Sequence, residues 1–459
     1  MSGSDNHPCL AERLADFVAA VRWDALPEAV RATALNAFRD WLGNAAAGSL
    51  TPFGRVVYAV AKAIGLTGGA LLVGSREAAD PLTAALVNGG ASHALEFDDS
   101  HKATFYHPGA PAITAALAAA QMIDCDGPTL LAGIVAGYEV GIRVAAALGP
   151  EHYRLWHTTG TAGSLAAAAA AARVLRLSSA QTAAAFGLAG TQAAGLWQVL
   201  PEAPAAKNLH AGRAAQSGLL AALLAREGLD GPVSILEGNR GLFAAMVPGA
   251  ADVEACIENL GGRWRILEIT LKAYPICGHA MTPVEAALQV GSRLGAAAVG
   301  KVVVHSNAIS IRIAGNRDPR DGYAAKFSIP YCVAVALSRG RVTQAEFEPA
   351  VLKDTAVRDL MRRVELVVDP QYDRIARTIR PARIEAFLGD GRTLEAVSET
   401  RRGDPEQPMS DEEMRAKFRS LAALAWGDER ARHVDEGMGA LPETQTINRW
   451  MTRILLAGT

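Results

Sequence analysis

Between residues 161 and 190 the chain carries 13 alanines in 30 positions, and no other feature constrains its fold so strongly. Alanine has the highest intrinsic helix propensity, and its small side chain lets helix axes approach closely. Such a stretch predicts a tightly packed helical body. It does not read as a membrane span. The uncharged part around 177–201 is broken by Ser, Gln, Thr and Gly, and lacks the dense Leu, Ile, Val and Phe of a bilayer-crossing helix.

Helical periodicity runs through most of the first 265 residues. Leu10, Leu14, Phe17, Val18 and Val21 fall on one face, and Val30, Leu35, Phe38, Trp41 and Leu42 continue at the same period. Further helices are expected at 55–65, 80–94, 110–123, 127–148, 160–175, 178–196, 208–227 and 251–259, several of them bounded by Gly, Pro, Ser or Asp. The character then changes. Residues 264–272, 301–314 and 364–369 read as strands, and 383–388 with 392–397 as a hairpin across Gly389-Asp390-Gly391. Helices are expected between them at 279–294, 326–338 and 344–361. From Ser410 onward the pattern returns to helix. The fold class is therefore mainly α. A large all-helical domain is built from both chain ends (1–267 and 404–459), with a smaller α+β lid domain inserted at 268–403.

Half the residues are apolar, a fifth are charged, and the net charge is −2, so nothing provides the basic footprint of a nucleic-acid binder. The five cysteines are scattered and include no C-x-x-C pair. That suits reduced thiols in a cytoplasmic enzyme, without disulfides or an iron–sulfur cluster. Asp5, Glu12, Arg13 and Asp16 interrupt the N-terminal region, so no secretory signal is expected and residues 1–8 read as a loose tail.

Five polar clusters interrupt the apolar background. The first joins Glu96-Phe97-Asp98-Asp99-Ser100 to His101, Lys102, Tyr106 and His107. Pro108 and Gly109 then place His107 at the entry to an Ala-rich helix. Helix starts attract carboxylates, and loops held by rigid helices commonly carry chemistry. The second, Trp156 to Ser164, sets His157 among hydroxyls at another helix start. The third, Lys207 to Ala215, spaces Lys207, His210 and Arg213 three apart on one helical side, a pattern suited to carboxylates. The fourth, Lys272 to His279, sits where the helical part gives way to the α+β part and includes Tyr274 and Cys277. Clefts between domains are favoured ligand sites, although a small buried hydrophobe is the plainer reading of Cys277. The fifth, Ala325 to Tyr331, reads as a helix start with core aromatics. Metal-ligand spacings, a P-loop, a dinucleotide fingerprint and a nucleophile elbow are all absent. The remaining inventory suits proton removal beside a carboxylate, with cations stabilising enolate-like charge.

These clusters, in this order and across nearly the whole chain, resemble the MmgE/PrpD family, which includes 2-methylcitrate dehydratase, cis-aconitate decarboxylase and iminodisuccinate epimerase. The resemblance rests on Ala94-Leu-Glu-Phe-Asp-Asp-Ser100, His107-Pro108, His157 with Gly160-Thr-Ala-Gly163, Lys207-x-x-His210-x-Gly212-x-Ala-Ala215, and Lys272-x-Tyr-Pro-x-Cys277. It implies a homodimer, a cleft between the domains, and catalysis on a small di- or tricarboxylic acid without metal or organic cofactor. It implies proton transfer by His107 and His157, carboxylate binding by Lys207 and Lys272, and a contribution from Glu96, Asp98 and Ser100. The expected catalytic set is thus His107, His157, Lys207 and Asp98. Glu96, Ser100, His210, Arg213, Lys272, Tyr274, Cys277 and His279 are expected around the substrate. Three departures from the family pattern bear on the substrate: Glu96 for Asp, Gly109 for Ser, and the Cys277-Gly278-His279 run, which counts against the decarboxylase. Dehydration is the first expectation, epimerisation the second and decarboxylation the third. An idle acid-binding or scaffolding helical dimer is the rival from another class.

Overall fold

The computed structural model describes residues 9–376 and 379–456, so the expected tail at 1–8 lies outside the described residues. The chain divides into two compact units. The first comprises Met1–Ala94, Asp98–Ile269 and Ser410–Thr459; the second comprises Leu95–Phe97 and Thr270–Met409. The expected boundaries, after residues 267 and 403, lie two and six residues from these, and the excursion of Leu95–Phe97 into the second unit had no sequence signal.

The first unit is helical: α1 (Leu10–Ala20), α2 (Glu28–Gly48), α3 (Pro52–Ile64), α4 (Pro81–His93), α5 (Gly109–Ile123), α6 (Gly127–His152), α7 (Thr158–Val174), α8 (Ser179–Gly190) and α9 (Lys207–Arg226). Side-chain caps mark several starts. Thr51 accepts from Gly54 N, Asp80 from Leu82 N and Thr83 N, Asp126 from Thr129 N, and Ser178 from Gln181 N. The alanine run becomes α7 and α8, and α7 is buried at every position from Thr158 to Ala172 and packed by α5, α6, α8 and α9. A helix apolar on all sides can be stable only when surrounded, and alanine lets four neighbours approach at once. Helix α6 is long and apolar enough to cross a bilayer by composition, yet 94% of its apolar window is buried inside the unit. A two-stranded ribbon, β1 (Ala70–Leu71) with β2 (Ala78–Ala79), lies between α3 and α4.

The C-terminal helix Asp411–Trp426 packs on α2, which joins both chain ends in one unit. Buried Lys417 Nζ meets buried Asp40 Oδ1 at 2.5 Å across this contact. Removing one partner would strand a buried charge, at a cost of about 3–5 kcal/mol.

In the second unit β3 (Val299–Ser306) pairs in parallel with β4 (Val364–Val368) and antiparallel with β5 (Ala382–Leu388), which pairs with β6 (Thr393–Ser398). The sheet order is β4-β3-β5-β6. Helix α10 (Met281–Gly291) packs on β5 and β6 and against α11 (Ile329–Arg339), which in turn meets α12 (Thr355–Arg362).

Four local expectations fail, three of them for identifiable reasons. Residues 264–272 form a 3₁₀ turn, Arg265–Glu268, instead of a strand. Ile266 N is taken by Glu139 Oε1 at 2.9 Å, and Arg265 pairs with Glu258 and Glu268. The strand expected over 301–314 stops at Ser306, because Asn307 Oδ1 accepts from Ser310 N and caps a helix, Ala308–Ala314. The helix expected at 251–259 is reduced to a 3₁₀ turn, Val253–Cys256. The helix expected at 344–361 is divided at Pro349 and Asp354.

Candidate active site

Three helix starts and one helix end build the cluster in the first unit. Helix α4 ends at His93, the chain turns, and α5 begins at Gly109. Asp99 ties this turn down. Its Oδ1 accepts from Gly109 N at 3.1 Å and its Oδ2 from Tyr138 OH at 2.8 Å. A β-carbon at residue 109 would lie 2.6 Å from Asp99 Oδ1 and 2.7 Å from the Tyr138 hydroxyl, so only glycine fits without a shift. Burial, reinforced by the charges of Asp98 and Asp40, raises the Asp99 pKa to about 8. Asp99 is therefore a neutral anchor at neutral pH, while its neighbour is ionised.

That neighbour, Asp98, stands between two imidazoles. Its Oδ2 lies 2.7 Å from His93 Nδ1 and 3.2 Å from His107 Nδ1. Burial works against the carboxylate, but the two imidazoles outweigh it and hold the Asp98 pKa well below the usual range. With both Nδ1 atoms turned to one acceptor, the Nδ1–H tautomers are favoured and Nε2 is left for other partners. Asp98 Oδ1, His93 Nε2 and Ser100 Oγ are buried without a hydrogen-bond partner among the described residues. Unused polar capacity held out of water marks a place prepared for a ligand or ordered water.

His157 enters from the start of α7. Its backbone N donates to Gly195 O at 2.7 Å. Residue 195 has φ +136°, which favours glycine, and a β-carbon there would also press on His210 Nδ1 at 3.2 Å. The His157 ring lies nearly parallel to His93, with centroids 5.7 Å apart, and Trp197 covers it at 4.7 Å. His157 Nδ1 and His210 Nδ1 are 3.2 Å apart. Burial, then the Lys207 charge, pushes the His157 pKa well below its usual value; burial with His93 and Lys207 brings His210 to about 4. Both rings are therefore neutral at neutral pH, and buried Lys207 supplies positive charge beside them. The first turn of α7 also holds the other loop, since His107 N donates to Thr159 Oγ1 at 3.2 Å.

Arg213 does not join this group. It is exposed, and its guanidinium hydrogen-bonds Gln216 on the same helix. At 3.6 residues per turn, positions three apart drift steadily, and after six residues they differ by about 120°. Lys207 and His210 therefore reach the cluster, and Arg213 does not.

The remaining expected residues gather in the second unit. Lys272 Nζ donates to the Glu96 carbonyl at 2.8 Å and lies 3.8 Å from its carboxylate, and Tyr323 OH donates to Glu96 Oε1 at 3.0 Å. Glu96 itself has φ +55°. Lys326 Nζ takes the adjacent Leu95 carbonyl at 2.5 Å, and its burial lowers its pKa to about 7. Burial raises the Glu285 pKa, and a side-chain hydrogen bond from Tyr274 works against that rise. Cys277 N donates to Lys326 O, and His279 Nδ1 lies 3.0 Å from Ser310 Oγ.

Sequence reasoning missed His93, Trp197, Tyr138, Tyr323 and Lys326. His93 carried a usable signal, five residues ahead of Asp98 at a helix end. Lys326 lay in a cluster read as core. Tyr138 and Trp197 are ordinary core aromatics in sequence, and only the fold gives them partners.

Donor atoms of His93, Asp98 and His107 all lie within 4.8 Å of one another, the one such group of three or more among the described residues. Two ligands held tetrahedrally on one ion at about 2.1 Å stand about 3.4 Å apart. The 2.7 Å between His93 and Asp98 is a hydrogen-bond length, shorter than that separation.

The comparisons agree on one assignment. Residues 12–254 match the MmgE/PrpD N-terminal domain and residues 274–438 the MmgE/PrpD C-terminal domain. The chain is 28% identical to the cis-aconitate decarboxylase-like protein oryM of Aspergillus oryzae over 409 residues, 83% of this chain and 84% of that protein. It is 29% identical to cis-aconitate decarboxylase of Homo sapiens over 363 residues, 75% of this chain and 74% of that protein. It is 26% identical to 2-methylcitrate dehydratase of Cupriavidus necator over 354 residues, 72% of each. With both domains matched in order, this chain belongs to the MmgE/PrpD family of enzymes.

Proposed function

We propose that the protein is a cofactor-independent lyase that removes a proton α to a carboxylate of a small di- or tricarboxylic acid, with elimination of water as the outcome. The observation that carries this reading is the pairing of an ionised Asp98, shared by His93 and His107, with a neutral, buried His157 beside Lys207. Water elimination needs two proton carriers, one taking the C–H proton and one delivering a proton to the departing hydroxyl. His107 and His157 are assigned these tasks. Asp98 orients His107, and the Lys207 ammonium stabilises the enolate-like charge that develops on the substrate carboxylate. The electron pair of the C–H bond becomes the new C=C bond, and hydroxide leaves as water. Our reading includes a cytoplasmic homodimer, for which light scattering at micromolar concentration should return twice the 48.0 kDa chain mass.

Decarboxylation is the second reading. It is favoured by relatives named cis-aconitate decarboxylase that align over 83% and 75% of the chain. Purified protein incubated with 2-methylcitrate, citrate, cis-aconitate and iminodisuccinate in D₂O, followed by proton NMR, separates the outcomes. An alkene product with loss of water supports dehydration, carbon dioxide release supports decarboxylation, and solvent deuterium in recovered iminodisuccinate supports epimerisation. No product and no exchange with any of the four would overturn the reading.

A further inference from the structure

Away from the imidazoles, but within the first unit, the end of α7 is built against a local conformational preference. Leu177 N donates to Ala172 O at 3.0 Å and Arg176 N to Arg173 O at 3.2 Å, the paired closure of a Schellman turn. That closure forces one residue into the left-handed region, where glycine is the low-energy choice. Here the residue is Arg176, at φ +56°. Arginine does nothing for the closure that glycine would not do better. Sequences depart from local preference in this way where a side chain is wanted for another purpose.

The Arg176 side chain lines a cavity of about 690 Å³ together with Arg22, Arg173, Trp23, Asp24 and Asp126. That volume falls in the range of small-molecule sites. Arg22 follows the end of α1, and Arg173 lies in the last turn of α7. None of the three arginines forms an ion pair with a carboxylate among the described residues. Arg173 Nε is committed to Val21 O at 2.5 Å, which fixes the guanidinium and leaves its terminal nitrogens. Burial and then the charges of Arg22 and Arg176 act against the charge on Arg173, while the Asp126 carboxylate acts in its favour, so the three guanidiniums feel one another and that carboxylate. Asp126 is engaged as the cap of α6, accepting from Thr129 N at 2.7 Å. The C-terminal dipole of α7 adds about half a negative charge. Three guanidiniums and two carboxylates, Asp24 and Asp126, leave the lining with a net positive charge, and planar guanidinium forks match paired oxygens of carboxylates and phosphates.

We propose that this cavity is a second ligand site, separate from the imidazole cluster, for a compact oxyanion carrying two or more negative charges. Tricarboxylates and pyrophosphate-type anions share that chemistry.

Isothermal titration calorimetry on the full chain tests the site with citrate and with pyrophosphate, against sodium chloride at matched ionic strength. The variants are Arg22→Gln and Arg176→Gly. The second removes the guanidinium and also relieves the left-handed strain, so its melting temperature should equal or exceed that of wild type. We expect saturable binding of at least one anion, weakened about tenfold or more in each variant. A response to pyrophosphate alone assigns a phosphate-type ligand, and a response to citrate alone a tricarboxylate. Heat no greater than the chloride control for both anions would overturn the proposal. So would affinity unchanged in both variants, since the anion would then sit elsewhere, for example at Lys207.

Discussion

His93 and His107 meet the same oxygen: Asp98 Oδ2 lies 2.7 Å from one Nδ1 and 3.2 Å from the other, and the two rings cross edge to face with centroids 4.7 Å apart. A single carboxylate therefore orients two imidazoles. Asp98→Asn keeps the shape but removes the charge, and an amide can accept from one ring while donating toward the other. The wrong tautomer of His107 would follow. Turnover should fall by about 10²-fold or more with little change in melting temperature. Steady-state kinetics beside a thermal melt checks both. Near-normal turnover would remove Asp98 from the account.

Lys207 lies buried beside His157 and His210. Lys207→Ala should raise KM and lower kcat together, because the ammonium is asked to hold a substrate carboxylate in the ground state and in the transition state. The loss in kcat/KM should correspond to about 1.5–3 kcal/mol, the range for a hydrogen bond to a charged group. A drop in kcat at unchanged KM would confine its role to the transition state.

Asp98 and Asp99 titrate on opposite sides of the ordinary aspartate value, and the stability profile should show both. Asp99 has its pKa raised to about 8 in the fold. Its contribution is fully present below the unfolded value near 3.8 and is lost as pH rises toward 8, because the unfolded chain ionises first. Asp98 has its pKa lowered, so its contribution is present above that value and is lost as pH falls below it. Urea unfolding of Asp99→Asn between pH 4 and 8 should therefore show that the variant gains on wild type as pH rises. A constant difference across that window would contradict the neutral anchor.

Dialysis against EDTA should leave the rate unchanged. The hydrogen-bond spacing of His93 and Asp98 motivates this expectation, being shorter than the separation of two ligands on one ion. A loss restored by Zn²⁺, Fe²⁺ or Mg²⁺ would show that the cluster opens to take a cation.

Much of this arrangement could be read from the chain, because the strongest signals are local. The alanine run had to be a buried helix, and His107 and His157 stand at helix starts that Pro108, Gly109 and the threonines announce. What escaped depends on contacts distant in sequence. Tyr138 reaches Asp99 across 39 residues, and Lys272 reaches the Glu96 carbonyl across 176. Arg213 was misplaced because a spacing of three keeps only adjacent positions on one side of a helix. The isoleucine alternation at 309–313 imitated a strand until Asn307 was seen to cap a helix. The Gly109 departure gains a physical reason in the absence of room for a β-carbon.

Movement of the substrate proton by His107 and His157 is the core of the proposed reaction. It is tested most directly by the rate of deuterium incorporation from D₂O into the substrate identified by the four-compound screen, measured by NMR for wild type, His107→Gln and His157→Gln. Exchange reports C–H cleavage even without net turnover. Both folded variants should lose turnover by roughly 10²–10⁴-fold, and exchange should fall in parallel for whichever imidazole is the base. Two folded variants with near-normal exchange and turnover would contradict it.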